Sequence, residues 1–336
     1  MTDLLGSLPE DLRRLLRDAA PGVELASRPM LATLSDRRDC PGEWLFERKL
    51  DGIRVLAVRE GNGVVLLSRT GNRLNATYPE IVDALAAQSC TDFTVDGEIV
   101  AFAGGGRTDF GLLQQRMGLT RRRDVEASRV AVTYYLFDLL RLEGADPARL
   151  PLRTRKSLLR RALTYRTPLR LTTHRNEGGA ELLADACARG WEGLIAKRAQ
   201  SPYQPRRSPD WLKLKCSLEQ EFVIGGCTEP GGTRAGFGAL LLGHFEGDRL
   251  RYAGKVGTGF DRRTLLALRG ALDELGTPAS PFADRVREAG ARWAEPVLVA
   301  QIAFTEWTRD GMLRHPRFLG VRHDKQAHDV VRERPV

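Results

Sequence analysis

Residues 47–54 read Glu47-Arg48-Lys49-Leu50-Asp51-Gly52-Ile53-Arg54. On either side lie the strand-like runs 44–49 and 53–59, rich in apolar and β-branched residues, so Gly52 is predicted to sit at a bend between two strands. A lysine packed among charges beside a bend can serve as a nucleophile toward phosphorus if burial and neighbouring cations strip its proton. The requirement is demanding: moving an amine from about 10.4 to about 7 costs roughly 4–5 kcal/mol. The alternative for Lys49 is a strand-end surface lysine paired to Asp51.

Composition sharpens the question of what this lysine is for. The chain has 336 residues, 52 basic against 43 acidic, for a formal net charge of +9. Such a surplus suits a polyanionic partner. Only seven of the 52 are lysine: Lys49, Lys156, Lys197, Lys213, Lys215, Lys255 and Lys325. Arginine stays protonated, whereas a lysine can be tuned to a neutral amine, so each lysine in an arginine-rich chain invites a functional reading.

No apolar run approaches a membrane span, and Met1-Thr2-Asp3-Leu4-Leu5 lacks the basic and apolar regions of a signal peptide. The five cysteines (Cys40, Cys90, Cys187, Cys216, Cys227) form no CxxC pair, which argues against a disulfide framework and for a reducing cytosol.

Along the chain, a helix is predicted at 8–19 with Ser7 as cap, and another opening at Thr77-Tyr78-Pro79-Glu80 with capping-box spacing. Further helices are expected at 153–165 and 179–189, the latter stopped by Gly190. Strands are expected at 64–69, 93–102, 130–140, 193–198 and 211–216. From about residue 221 the texture changes to short apolar runs (222–224, 239–244, 250–253, 297–304) between glycine-rich turns, with one helix at 261–275. That pattern fits a small β-barrel of the oligonucleotide-binding type. Residues 216–220 are the expected hinge, dividing the chain into domains 1–216 and 217–336. The run Arg121-Arg122-Arg123 reads as a solvated loop more readily than as a DNA contact.

Phosphate-loop, dinucleotide-binding and HExxH signatures are missing, and the five histidines make no compact ligand cluster. Instead, ordered blocks follow the first: Ser68-Arg69-Thr70-Gly71, Asp96-Gly97-Glu98, Tyr135-Leu136-Phe137-Asp138, Glu192-Gly193-Leu194-Ile195-Ala196-Lys197, Lys213-Leu214-Lys215 and Arg322-His323-Asp324-Lys325. With Lys49-Leu50-Asp51-Gly52-Ile53-Arg54 they absorb five of the seven lysines. The set resembles the covalent nucleotidyltransferases, and within them the ATP-dependent DNA ligases. The stretches Ser201-Pro202-Tyr203, Arg207-Ser208-Pro209-Asp210-Trp211, Gly254-Lys255-Val256-Gly257-Thr258-Gly259-Phe260 and Arg314-His315-Pro316-Arg317-Phe318-Leu319-Gly320 look like those of the bacterial non-homologous end-joining ligases, of the ligase D and ligase C type.

The resemblance implies an α+β fold: a nucleotidyltransferase (adenylation) domain of antiparallel sheets with flanking helices, then a C-terminal OB-fold barrel. It implies a stand-alone DNA ligase that uses ATP with Mg²⁺ or Mn²⁺ and seals 5′-phosphate/3′-hydroxyl nicks in duplex DNA through lysyl-AMP and DNA-adenylate. Lys49 would be the nucleophile. Lys213 and Lys215, on one face of a strand by period 2, would hold the α-phosphate and depress the Lys49 pKa. Glu98 and Glu192 would bind the metal, since hard cations prefer carboxylate oxygen, and Glu98 doubles as a nucleotide contact. Glu47 would accept from the adenine amino group, Phe137 would stack on the ring or serve as plain core, and Arg54 would touch the ribose. Arg69 would take the 5′-phosphate of the nick. Arg322, Asp324 and Lys325 would swing in to orient pyrophosphate. Lys197 is either catalytic or a mere neighbour of Glu192, and His323 stands where many relatives carry an acid. A monomer acting in the cytoplasm at the nucleoid is expected, with nicked duplex DNA and a Ku-like end-binding protein as partners and no membrane. Two rivals remain at this point: a GTP-using RNA-capping enzyme or RNA ligase, and a non-catalytic basic module of the OB type.

Overall fold

The computed structural model describes residues 3–35, 37, 40–216, 218–231, 235–308 and 310–333. These form two compact units that divide at residues 216 and 217. Of the expected hinge, Ser217 lies outside the described residues, and Leu218 already opens the first strand of the second unit.

The first unit holds two sheets, each with its own apolar cluster. In the larger, Gly63–Ser68, Ile53–Glu60, Asp92–Ala101 and Val132–Leu142 are consecutive antiparallel neighbours. Val55, Val95, Tyr134 and Leu136 pack there against Tyr78 and against Ile81 and Leu85 of the helix Pro79–Ala86. The second sheet runs His174–Arg175, Trp44–Arg48, Gly193–Arg198, Arg207–Lys215, Leu31–Leu34, antiparallel except for the last pair. Alternation along Trp44–Arg48 decides what each face carries. Trp44 and Phe46 meet Leu183 and Ala186 of the helix Gly179–Ala188, whereas Glu47 turns to the other side.

In the second unit, strands are ordered Arg249–Val256, Leu240–Glu246, Leu218–Thr228, Ala291–Phe304 and Gly276–Thr277, with Arg317–Val321 also paired to Ala291–Phe304. One helix, Arg262–Glu274, lays Leu265, Leu268 and Leu272 on this curled sheet. Asp261 caps it by accepting from the Thr264 amide at 2.7 Å.

Four sequence expectations give way. The first helix is only Glu10–Arg13. Ser7 does not cap it, because its hydroxyl donates back to the Leu4 carbonyl, and the chain straightens at Arg17–Asp18 to pair with Ala145–Asp146. At the helix Pro79–Ala86 the cap position is Tyr78 and no side chain caps it. Glu80, expected to close a capping box, is held instead by both carboxylate oxygens to Arg116. Arg122 and Arg123 begin a short helix, Arg122–Ala127, rather than a loop, though all three arginines are exposed. Finally, Cys187 and Cys216 are joined in a disulfide. Spacing could not show this, since the ends of a helix and of a distant strand bring their Cα atoms to 5.2 Å.

Candidate active site

Register across the second sheet assembles the lysines. Glu47 sits opposite Ile195, which sits opposite Lys213, and Gly193 sits opposite Lys215. Glu47, Lys213 and Lys215 therefore share one face. Lys49 follows the first of these strands, its amide donating to the Gly193 carbonyl at 2.9 Å. Its ammonium is ion-paired with Glu192, whose side chain is almost buried. Lys215 Nζ lies 4.0 Å from the same Glu192 oxygen. The other oxygen, Oε2, is buried without a hydrogen-bond partner.

Electrostatics here run against one expectation. Burial pulls the Lys49 pKa down, but Glu192, with help from Asp51 and Glu98, more than offsets it and holds the ammonium above its ordinary value. The depressed pKa foreseen for a nucleophile is not a property of this arrangement, because the carboxylate is nearer than any second cation.

The larger sheet supplies the opposing side chains. Arg54 lies opposite Glu98, and Glu98 opposite Tyr135. Both Arg54 donors engage Asp96 at 2.5 Å, and Nη2 also reaches the Met30 carbonyl at 3.0 Å. Arg54 is thus a positioned, mostly buried cation rather than a free arm. Tyr203 completes the cluster by donating to Asp96 at 2.7 Å. Arg69 stands in the tight turn between Ser68 and Asn72, where Gly71 adopts φ 84° and its amide returns to Ser68.

Glu47 is wholly enclosed. Lys156 donates to its Oε1 at 2.5 Å and to the Thr172 carbonyl at 3.1 Å. Lys197 Nζ stands 2.7 Å from Oε2 and 4.1 Å from the ring centres of both Phe137 and Trp211. Burial would raise the Glu47 pKa; the two ammonium groups win and lower it. Burial and Lys156 together lower that of Lys197. Phe137 is itself buried among Met30, Leu56, Leu140, Tyr203 and Trp211. Neither Lys156 nor the Asp96–Tyr203 pair was singled out from the sequence. The sparse lysine count was the only available signal for Lys156.

Arg322, Asp324 and Lys325 are placed in the second unit. Arg322 grips Asp324 through two bonds of 2.8 and 2.9 Å, and Lys325 pairs with Glu221 at 3.1 Å. Among the described residues no group of three or more histidine, cysteine or carboxylate side chains forms a ready metal cage.

Comparison with known proteins decides the family. Residues 29–215 match the model of the ATP dependent DNA ligase domain, and residues 233–325 match the ATP dependent DNA ligase C terminal region. The chain belongs to the ATP-dependent DNA ligases. It is 41% identical over 315 residues to the multifunctional non-homologous end joining protein LigD of Pseudomonas aeruginosa, covering 91% of this chain and 36% of that protein. To the LigD protein of Mycobacterium tuberculosis H37Rv it is 38% identical over 312 residues, 91% of this chain and 40% of the relative. The ligase chain therefore spans well under half the length of these relatives. A solved mycobacterial DNA ligase D complexed with ATP and MES is 34% identical and superposes with a TM-score of 0.64, over 92% of this chain and 99% of that one. The fold is accordingly the α+β nucleotidyltransferase fold of the DNA ligases with an OB-like C-terminal region. No described helix is long and apolar enough to cross a membrane.

Proposed function

We propose that this ligase seals nicks in duplex DNA during end joining, through a covalent AMP on Lys49. The observation that carries the reading is Lys49 itself, held at the end of a strand whose face aligns Glu47, Lys213 and Lys215. In the first step the neutral Lys49 amine attacks the α-phosphorus of ATP. An N–P bond forms, the bond to the β-phosphate oxygen breaks, and pyrophosphate leaves while the amine proton passes to solvent. A 5′-phosphate oxygen of the nick then attacks the same phosphorus and frees Lys49. In the last step the 3′-hydroxyl attacks the 5′-phosphorus and AMP departs.

Each residue has a matching task. Lys49 can shed its proton only when Glu192 releases the ammonium, after which Lys215, beside the same carboxylate, disfavours recharging. Lys213 and Lys215 would grip the α-phosphate. Glu47, kept ionised by Lys156 and Lys197, has lone pairs left to accept from the adenine amino group. Phe137 would meet the adenine, Arg54 the ribose and Arg69 the 5′-phosphate. Arg322, Asp324 and Lys325 would orient the departing pyrophosphate when the second unit closes.

The donor set fits a divalent cation: Glu98 and Glu192 are hard ligands, and Glu192 Oε2 is an orphaned buried oxygen. Mg²⁺ or Mn²⁺ held there by Glu98 and Glu192 would neutralise phosphate charge. A Ku-like end-binding protein is the proposed recruiter, a single chain the active form, and the bacterial cytoplasm the place of action.

The deciding experiment is the intact mass of the protein before and after incubation with ATP and Mg²⁺ or Mn²⁺. A gain of one AMP, reversed by pyrophosphate and lost in Lys49→Ala, supports the reading. A gain with GTP alone would point to capping chemistry, and no gain with either nucleotide would sink the covalent mechanism.

A further inference from the structure

A cavity of about 780 Å³ opens on the side of the second sheet opposite Glu47. Phe46 and Arg48 project into it from the strand on which Glu47 points the other way, and Leu194, paired with Arg48, lies beside them. The helices Leu152–Ala162 and Gly179–Ala188 form its walls, and the edge strand His174–Arg175 its rim.

Its charge is one-sided. The lining carries Arg48, Arg153, Lys156, Arg160, Arg175 and Arg189 against a single carboxylate, Asp185. Asp185 is taken by Arg189 at 2.8 Å, and Lys156 is committed to Glu47. Arg153 approaches Glu43 only to 4.0 Å. Arg48, Arg160 and Arg175 have no carboxylate within 4.0 Å among the described residues. Burial lowers the pKa of His174 in the same lining, and Lys156, Arg153 and Arg160 lower it further against the opposing pull of Glu47. Two buried polar atoms of lining residues, Arg48 Nε and Thr172 Oγ1, lack hydrogen-bond partners. The Arg48 guanidinium carbon sits 4.3 Å from the Trp191 ring centre and its Nη1 donates to the Gly106 carbonyl at 3.0 Å, which hold the fork in place.

Spacing separates the possible anions. Arg153 and Arg160 fall at i and i+7 on one helix face, about 10 Å apart at 1.5 Å rise per residue, with the Lys156 stem between them. One phosphate cannot engage such a pair, whereas a chain of phosphates can. A cavity of this size takes a few nucleotides and excludes a duplex. We propose that it is a second phosphate-chain site, distinct from that of Lys49, which takes the sugar–phosphate backbone of a single-stranded nucleic acid. Arginine forks grip the backbone without reading sequence, and the site would hold a single-stranded overhang or flap away from the reacting nick.

The test is binding of a fluorescent oligo-dT to the whole protein across a salt series, with inorganic tripolyphosphate as the alternative source of the same chemistry. The variant is Arg160→Gln/Arg175→Gln, both exposed. The control is Arg122→Gln/Arg123→Gln, which removes the same charge from the exposed helix elsewhere. We expect the first pair to weaken oligo-dT binding about tenfold and to reduce the salt slope by about 1.4, at about 0.7 per lost phosphate contact on a single strand, with the control much less affected. Equal weakening in both pairs, or none in either, overturns the site. Loss of tripolyphosphate binding with oligo-dT unchanged overturns the strand as its occupant. Charging of Lys49 by ATP, followed by intact mass in the same variant, stays at the wild-type level. Failure of charging in the unaltered protein would strike the ligase reading instead and leave this site standing.

Discussion

The Lys49 ammonium rests on one carboxylate oxygen of Glu192 while the other oxygen is buried with no partner. Glu192 therefore does two opposed things. It holds Lys49, the proposed nucleophile, in its charged form, and it leaves one oxygen without a partner, where the proposed metal would bind. Nucleophilic attack needs both to change together, which couples the state of Lys49 to whatever engages Glu192.

Lys49→Arg keeps the ion pair but cannot yield a neutral nucleophile, because a guanidinium does not deprotonate near pH 7. The variant should fold as the parent does and gain no AMP by intact mass. An adduct on Lys49→Arg would place the nucleophile elsewhere.

Glu192→Gln removes the charge that raises the Lys49 pKa. Folded-state ammonium is then easier to deprotonate, so the pH at which charging is half-maximal should move down. The proposed metal loses a ligand at the same time, and losses of about 10- to 100-fold in affinity are usual even for supporting groups around a metal. The expected signature is a higher divalent-cation requirement combined with an acid-shifted profile of charging rate. A shift in neither, at saturating Mn²⁺, would remove Glu192 from both tasks.

Glu47 balances two buried ammonium groups, Lys156 and Lys197, exposed by only 5% and 2% of their side chains. Removing one member of a buried pair costs about 3–5 kcal/mol because a charge is stranded. Glu47→Ala strands two, and should destabilise the first unit more than Lys156→Met, which leaves Glu47 with Lys197. Urea midpoints of the two variants check the order; equal midpoints would mean that the lysines discharge rather than remain stranded.

This triad also marks how far the sequence could be read. Lys213 and Lys215 share a face by period 2, whereas Lys49 and Glu192, each next to a strand end, are tied to them only by the family resemblance of their blocks. Lys156 occupies an ordinary position on the helix Leu152–Ala162, 109 residues from its partner, and no local pattern distinguishes it from a solvated lysine. Asp96 and Tyr203 each stand in a quoted block, but their pairing across 107 residues is hidden for the same reason. The overlong first helix failed differently: Leu12, Leu15 and Leu16 are helically spaced, but pairing of Arg17–Asp18 with a distant edge strand overrode the local preference. Cys187 and Cys216 likewise meet only through tertiary structure.

His244 offers a titration within the second unit. The residue is 8% exposed, and its ring meets Trp307 edge-on at 5.6 Å and has a buried Nδ1 without a partner. Burial, reinforced by Arg332 and Arg251 against the opposing pull of Glu246 and Asp284, lowers its pKa to about 4. An unfolded histidine titrates near 6.5, so between about 6.5 and about 4 the unfolded chain binds the extra proton. Its stabilising contribution is complete above that window and is lost as the pH falls through it, with a slope of at most about 1.4 kcal/mol per pH unit. Thermal unfolding from pH 7 to pH 4.5 should show a shallower decline in His244→Leu than in the parent. Parallel curves would mean that other groups carry the acid sensitivity.

Gly193 ties Lys49 to the fold through its backbone. Its carbonyl accepts from the Lys49 amide, its φ is 141°, and a Cβ there would come within 2.0 Å of the Leu214 carbonyl oxygen. Backbone cannot yield as a flexible side chain would, so Gly193→Ala must push apart the strands that carry Glu192 and Lys215. Strained conformations of this kind cost of order 1–3 kcal/mol, and the displacement falls on the residues facing Lys49. We expect a lowered melting temperature together with a loss of charging larger than the lost stability explains, measured well below the melting point. Gly63→Ala is the comparison: its nearest contact would be an ordinary 3.5 Å from the Glu60 carbonyl, so charging should be unchanged. If Gly193→Ala instead charges at the parental rate while melting early, the close strand approach at Gly193 serves the fold alone and the position of Lys49 does not depend on it.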